Sequence, residues 1–359
     1  MSKEDITQLN SMEVGFSRSP TLKYVAKCIG ALAASVTLSS QVSTGDPLTQ
    51  PGLAVGYFTD RGCQDPRAED KVRVYDNMRT ARQINISDIP GASLNELADR
   101  EAERAGLTLV DEEPYLERVD QSETVSTTTE VLTDFMQNYG IEFSVLDKRR
   151  LIDTDNAQPL GETSMDHEDY RSGALTFIDN FHLMPTELIE EADIEGIEIV
   201  GETGLESAAG TYSAVTDGVD ITYDTFVRTP DSTSTHETMH GIDKSTCGAW
   251  GLERDPSFRE LNDNGWEYGL DEYDTITMSH VIDSHAAKNP QEDKAAIGER
   301  FLTGLDPYIL SPEHAGPIVY RKAMLLLGRL EGRVPNISRY IAALNHISRA
   351  LRLRNNIPK

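Results

Sequence analysis

The sequence predicts an α+β protein, and three observations predict it. Helix-then-strand patterns occur twice between about residues 70 and 147, an Asp-Gly hairpin signal follows near residue 217, and amphipathic helices fill the C-terminal end.

Residues 1–45 read as a tail with one short apolar stretch, CIGALAASVTL (28–38). It falls short of the ~20 apolar residues that span a bilayer. A buried helix is its first reading. A late secretory signal behind Lys23 and Lys27 is its second, although the leader before them is long and carries Glu4, Asp5 and Glu13. Residues 46–70 are rich in Gly, Pro and Asp and read as loop. KVRVY (71–75) alternates like a short strand. The next segment, SLNELADREAERAG, has Ser93 and Glu96 at capping-box spacing and Gly106 as a stop, so it predicts a helix; LTLV after it reads as a strand. TEVLTDFMQNYG repeats the helical pattern up to Gly140, and IEFSVL is extended. Residues 46–150 therefore form a smaller, uncharacterised α+β region, and the polar residues 147–164 a linker.

Residues 165–352 form the better defined region. ALTFIDNFHLM is apolar at helical spacing, and Pro185 can open the helix of PTELIEEA. GIEIV reads as a strand, and TYSAV and VDITY flank Thr216-Asp217-Gly218 as a hairpin. NPQEDKAAIGERFL has Asn289 as cap and Pro290 at the first helical position. Two amphipathic helices close the chain, the last with Ile337, Ile341, Leu344 and Ile347 on one face.

A net charge of −27, from 60 acidic and 33 basic residues, argues against nucleic acid and anionic membrane partners. No segment predicts a membrane span. A soluble protein without a clear signal peptide is expected, with secretion as the second reading and the compartment open. Cys28, Cys63 and Cys247 are odd in number and far apart, so neither a disulfide framework nor a cysteine zinc ribbon follows from them.

The chemistry concentrates in His236-Glu237-Thr238-Met239-His240. On a helix, residues four apart share a face, so both imidazoles can reach one metal ion. Glu237, rotated by about 100°, leans beside that ion, where a general base takes a proton from water. Ser234 and Glu237 also have capping-box spacing; a cap at Thr233 or Ser232, the preferred reading, leaves Glu237 free. A catalytic zinc takes three protein ligands. The downstream candidates for the third are His280, His285, Asp283, Glu292 and Asp293. Asp166 to Asp169 read as an acidic helix cap, His182 as a core histidine, and Tyr273 and His280 as fallback donors.

HETMHGID followed by SHAAKNPQEDKAAIGERF resembles the catalytic domain of the anthrax lethal factor-like zinc metalloproteases, of the gluzincin group. The resemblance covers roughly residues 170–350. It implies a zincin-like domain with a small twisted sheet and an edge strand, an active-site helix and C-terminal helices. It also implies one Zn2+ held by His236, His240 and Glu292, with Glu237 as general base, and a protein or peptide substrate. The family's Asn-x-x-Glu step is matched by Asn289 to Glu292, and Asp243 matches the aspartate after the second histidine. Asp243 then either orients a ligand imidazole or is a solvated helix residue. Two positions depart from the family. His285 stands where the family has a tyrosine that stabilises the oxyanion, a role an imidazole can fill. Ala296 stands where a glutamate is usual. VDITY is the expected edge strand for pairing with an extended substrate. The alternative is a catalytically silent metalloprotease-like domain serving as a structural or protein-binding module.

Overall fold

Several of the chain's helices start where a side chain caps them. The computed structural model describes residues 63, 65–84, 93–145, 165–201, 209–213, 217–247, 255–263, 265–269, 279–303 and 308–355. The apolar stretch 28–38, the whole of the expected linker and Tyr273 lie outside them. The elements are α1 (Ala68–Ala81), α2 (Leu94–Ala105), α3 (Glu113–Asp120), α4 (Val125–Gln137), β1 (Glu142–Val145), α5 (His167–Phe181), α6 (Thr186–Ala192), β2 (Gly196–Val200), β3 (Gly210–Ser213), β4 (Gly218–Thr222), α7 (Tyr223–Arg228), α8 (Pro230–Cys247), α9 (Pro256–Arg259), α10 (Pro290–Leu302), α11 (Pro312–Ala315), α12 (Pro317–Arg333) and α13 (Ile337–Asn355). The result is a mixed α+β fold, mostly helical, with a small sheet.

Local signals set several boundaries. Ser93 accepts from Glu96 N–H while Glu96 returns the bond, and Gly106 (φ 73°) ends α2. Asp166 caps α5 by accepting from Glu168 and Asp169 N–H, as expected for that acidic run. Asn289 caps α10. Ile337, Ile341, Leu344 and Ile347 of α13 are fully buried.

Two expected strands are not strands. KVRVY lies within α1, where Val74, Met78 and Ala81 are buried at helical spacing and Val72 and Tyr75 face solvent. LTLV has no sheet partner: Thr108 N–H and Oγ1–H bond Glu187, and Thr108 O accepts from Thr186 N–H. These bonds tie the segment to the start of α6 instead of to a sheet.

The sheet order is β1-β2-β4-β3; β1–β2 and β2–β4 are parallel, and β3–β4 is the antiparallel hairpin. Asp217 (φ 51°) takes the left-handed position of its turn. β4 therefore lies inside the sheet, and the expected edge role of VDITY passes to β3. The pairing of β1 with β2 joins a strand from the 46–150 region to the 165–352 region, and α1 and α2 pack on α13. Among the described residues, the expected boundary near 150–165 thus does not separate two cores. No helix among them is long and apolar enough to cross a membrane.

Candidate metal centre

Helix α8 runs through the middle of this core. It packs against α10, α6, α5 and the β3–β4 hairpin. Its residues from Ser234 to Asp243 are all buried, His236, Glu237, His240 and Asp243 among them. Burying that many ionisable groups is costly unless they pair or bind metal. The helix begins at Pro230, the favoured first position, so Ser232, Thr233 and Ser234 lie inside its first turns. Neither expected cap applies, and Glu237 is free of a capping bond.

Two glycines bring the neighbours close. A Cβ on Gly298 of α10 would stand 2.3 Å from the Met239 side chain, so the glycine permits the α8–α10 contact. A Cβ on Gly210 would stand 2.6 Å from Thr233 and 3.2 Å from Glu237, so edge strand β3 lies directly beside the general-base candidate. Tyr212 of β3 places its ring along the His240 imidazole and donates its hydroxyl to Asp217.

α10 presents Glu292 to α8. Asn289 Oδ1 fixes the helix start by accepting Glu292 N–H at 2.9 Å, and the Glu292 side chain turns away from the cap. Its Oε2 lies 3.1 Å from His236 Nε2, 3.4 Å from His240 Nε2 and 2.8 Å from His285 Nε2. Three imidazoles thus surround one carboxylate oxygen. Glu237 Oε2 is 3.9 Å from His240 Nε2. All five residues expected at the site come together, and ligand atoms of His236, His285 and Glu292 lie within 4.8 Å of one another, as do those of His236, Glu237 and His240. His285 is half exposed. Its Nδ1 accepts from Lys288 Nζ at 2.9 Å, so its Nε2 carries the hydrogen and donates to Glu292.

The electrostatics follow from this crowding. Burial opposes a charge on His236, but its bonds to Glu292 and Glu299 prevail and its pKa is pushed up to about 10. Burial also works against ionised Glu292, yet hydrogen bonds from the three imidazoles hold its carboxyl far below the usual range. Burial pushes the Glu237 carboxyl up, against the pull of His240 and His236.

Glu299, which sequence reasoning missed, approaches His236 Nδ1 at 3.4 Å from the opposite side of the ring. It stands two helical turns after Glu292 on the same face of α10, a spacing that could have revealed it. Ala296, where the resembled family usually has a glutamate, packs in a small apolar cluster.

The remaining candidates are placed elsewhere. Asp243 is neither solvated nor on an imidazole: it pairs with Lys294 at 2.6 Å. Asp293 is buried between Lys322 Nζ and Tyr268 Oη, both at 2.7 Å. Asp283 accepts from Ala286 N–H in a turn. His280 stacks on Trp266 and contacts Asp263. His182 is fully buried, as expected of a core histidine. A disulfide joins Cys63 to Cys247, correcting the expectation that no pairing follows from the cysteines; the two are 184 residues apart, and only the fold brings them together.

No protein-family model and no curated protein matches the chain. Among solved structures it is similar to a candidate zinc-binding metallo-peptidase from Bacteroides caccae, at 13% identity and a TM-score of 0.41, over 67% of this chain and 97% of that one.

Proposed function

We propose that the chain is a zinc-dependent endopeptidase. The observation that carries this reading is the approach of His236 Nε2 and His240 Nε2 to one Glu292 oxygen, with Glu237 alongside. Two imidazoles and a carboxylate suit zinc, and three protein ligands leave a coordination position open. The fit is supported further by the crowding of three imidazole nitrogens around one carboxylate oxygen. His236, His240 and Glu292 are the proposed ligands.

When bound, the ion supplies Lewis acidity toward a peptide carbonyl and lowers the pKa of water. Glu237 accepts the proton from the attacking water and returns it to the leaving nitrogen; its burial-raised pKa suits both directions of transfer. His285, whose Nε2–H reaches Glu292 in this structure, would redirect that hydrogen to the developing oxyanion once Glu292 holds the ion, in place of the family's tyrosine. Glu299 keeps the His236 ring oriented through Nδ1. Edge strand β3 offers main-chain groups beside Glu237 to an extended peptide. The spacing from the histidine pair to Glu292 supports a gluzincin of the lethal factor type, with His285 and Ala296 as its departures. The Cys63–Cys247 disulfide supports an oxidising compartment.

The test is metal content together with cleavage of a mixed peptide library. Purified protein should hold zinc and cut peptides, and chelation should abolish cutting. A zinc-free protein that leaves every peptide intact would instead establish the silent binding module.

A further inference from the structure

We infer a second divalent-cation site, away from the first, built from His182, Asp99 and Glu112. His182 sits at the C-terminal cap of α5, Asp99 on α2, and Glu112 at the N-terminal cap of α3. One ligand atom from each lies within 4.8 Å of the others. Among the described residues, none of the three forms a hydrogen bond or ion pair with the His236 centre.

The imidazole points to a ligand. His182 is fully buried, and its Nδ1 lies 2.8 Å from Val110 O. A carbonyl only accepts, so Nδ1 carries a hydrogen, and in the neutral ring the Nε2 lone pair is then free, the tautomer of a metal ligand. Among the described residues Nε2 has no hydrogen-bond partner. It faces Asp99 Oδ1 at 3.8 Å, too far for a hydrogen bond. Two ligand atoms sharing one zinc, each at about 2.0–2.2 Å, stand about 3–4 Å apart, so the separation suits a shared cation better than a shared proton.

The carboxylates fit as well. Glu112 Oε1 accepts from Asn95 Nδ2 at 3.0 Å; its Oε2 lies 3.1 Å from Nδ1, on the hydrogen-bearing side of the ring, and one of its oxygens falls within 4.8 Å of the ligand atoms of His182 and Asp99. Glu112, Asp111 and Glu96 set further negative charge close to Asp99. Among the described residues no lysine or arginine pairs with Asp99 or Glu112. The negative charge therefore collects around an unpartnered buried nitrogen. One imidazole with two carboxylates selects Zn2+ or Mn2+ over thiolate-preferring ions. A bound ion would tie α2, the entry to α3 and the end of α5 together.

Full-length protein is stripped of metal, dialysed against Zn2+ and counted by mass spectrometry, with Mn2+ binding followed by electron paramagnetic resonance. Asp99→Asn, at a half-exposed position that leaves the core untouched, is the main variant, and His182→Gln the second. Both are also made in a His236→Ala/His240→Ala background, where the first centre cannot contribute. That background is expected to keep one equivalent of Zn2+, and Asp99→Asn to weaken its binding at least ~10-fold. In the wild type the same substitution should remove one equivalent while the other stays. The site is overturned if the background variant folds yet holds no zinc, or if the metal count and Mn2+ spectrum are indifferent to Asp99→Asn and His182→Gln. Because the readout is the equivalent lost with Asp99, this result stands or falls separately from the peptidase reading.

Discussion

Helices α8 and α10 each contribute to two clusters in which carboxylates meet basic groups, and the clusters differ in what holds the carboxylates. In one, Glu292 is held by His236, His240 and His285, imidazoles of which the first two can exchange a proton for a metal. In the other, toward the core, Asp243, Asp255 and Asp293 are held by Lys294, Arg329 and Lys322. There Lys294 also reaches Asp255 at 3.3 Å, and Arg329 grips Asp255 through both guanidinium nitrogens. In the inner pole each carboxylate is already taken by a buried amine or guanidinium, whereas imidazoles can exchange a proton for a metal, so the inner pole is fixed and the outer one is exchangeable. The fixed pole clamps α8, α10 and α12 so that the exchangeable one need not hold itself together. That division is the preorganisation a catalytic metal site needs.

Glu237→Gln should give the largest separation between the poles. Loss of the general base lowers kcat by about 10²–10⁴-fold, roughly 3–5 kcal/mol of barrier. The melting temperature should stay at or above wild type, because the substitution removes a buried carboxylate whose charge burial disfavours. Peptide cleavage and calorimetry on the same preparation check both halves. Undiminished cleavage would remove Glu237 from the mechanism.

Lys322→Met attacks the fixed pole. Asp293 would be left buried without its cation, at a cost of about 3–5 kcal/mol. Denaturant unfolding measures it. A loss below about 1 kcal/mol, the range of exposed pairs, would show the inner pole to be no firmer than a surface ion pair.

Reduction of the Cys63–Cys247 disulfide comes next. Cys247 ends α8, with Lys294 Nζ 3.7 Å from its sulfur, so the bridge closes the inner pole covalently. Opening it should cost about 2–4 kcal/mol, seen as a lower melting temperature in reductant. Zinc content should hold at temperatures where the protein remains folded. Zinc lost in step with reduction, without unfolding, would mean that the poles are not separable.

The same contrast explains which parts were legible. His236 and His240 are four residues apart, and Glu292 follows a capping asparagine, so the outer pole is written in local spacing and a helix start. The inner pole joins Asp243 to Lys294 and Asp255 to Arg329 across 51 and 74 residues. A single lysine or aspartate in a helix does not announce a distant partner. Caps read well, as at Ser93, Asp166 and Asn289. Short windows read poorly. Five residues of KVRVY alternate, but the longer 3.6-residue period through Val74, Met78 and Ala81 decides the element. VDITY was correctly a strand, yet whether a strand is at an edge depends on its neighbours, and β2 comes from elsewhere in the chain.

Glu299→Gln is the smallest of these effects and the sharpest probe of the exchangeable pole. The glutamate approaches the His236 ring nitrogen that faces away from Glu292, so it contacts no proposed substrate position. Glutamine keeps the length and an acceptor oxygen but removes the charge that makes the imidazole a stronger ligand. Metal affinity should weaken by about 10–100-fold, or roughly 1.4–2.7 kcal/mol, in a competition titration against a chromophoric zinc chelator. At saturating zinc, kcat should recover most of its wild-type value, because Glu237 and the three proposed ligands are all present. If affinity changes by less than about threefold, roughly 0.6 kcal/mol, then Glu299 merely pairs with the protonated ring, and orientation of His236 must come from helix packing alone. If affinity is lost together with the fold, Glu299 belongs to the clamp and the boundary between the two poles lies one helical turn closer to the metal.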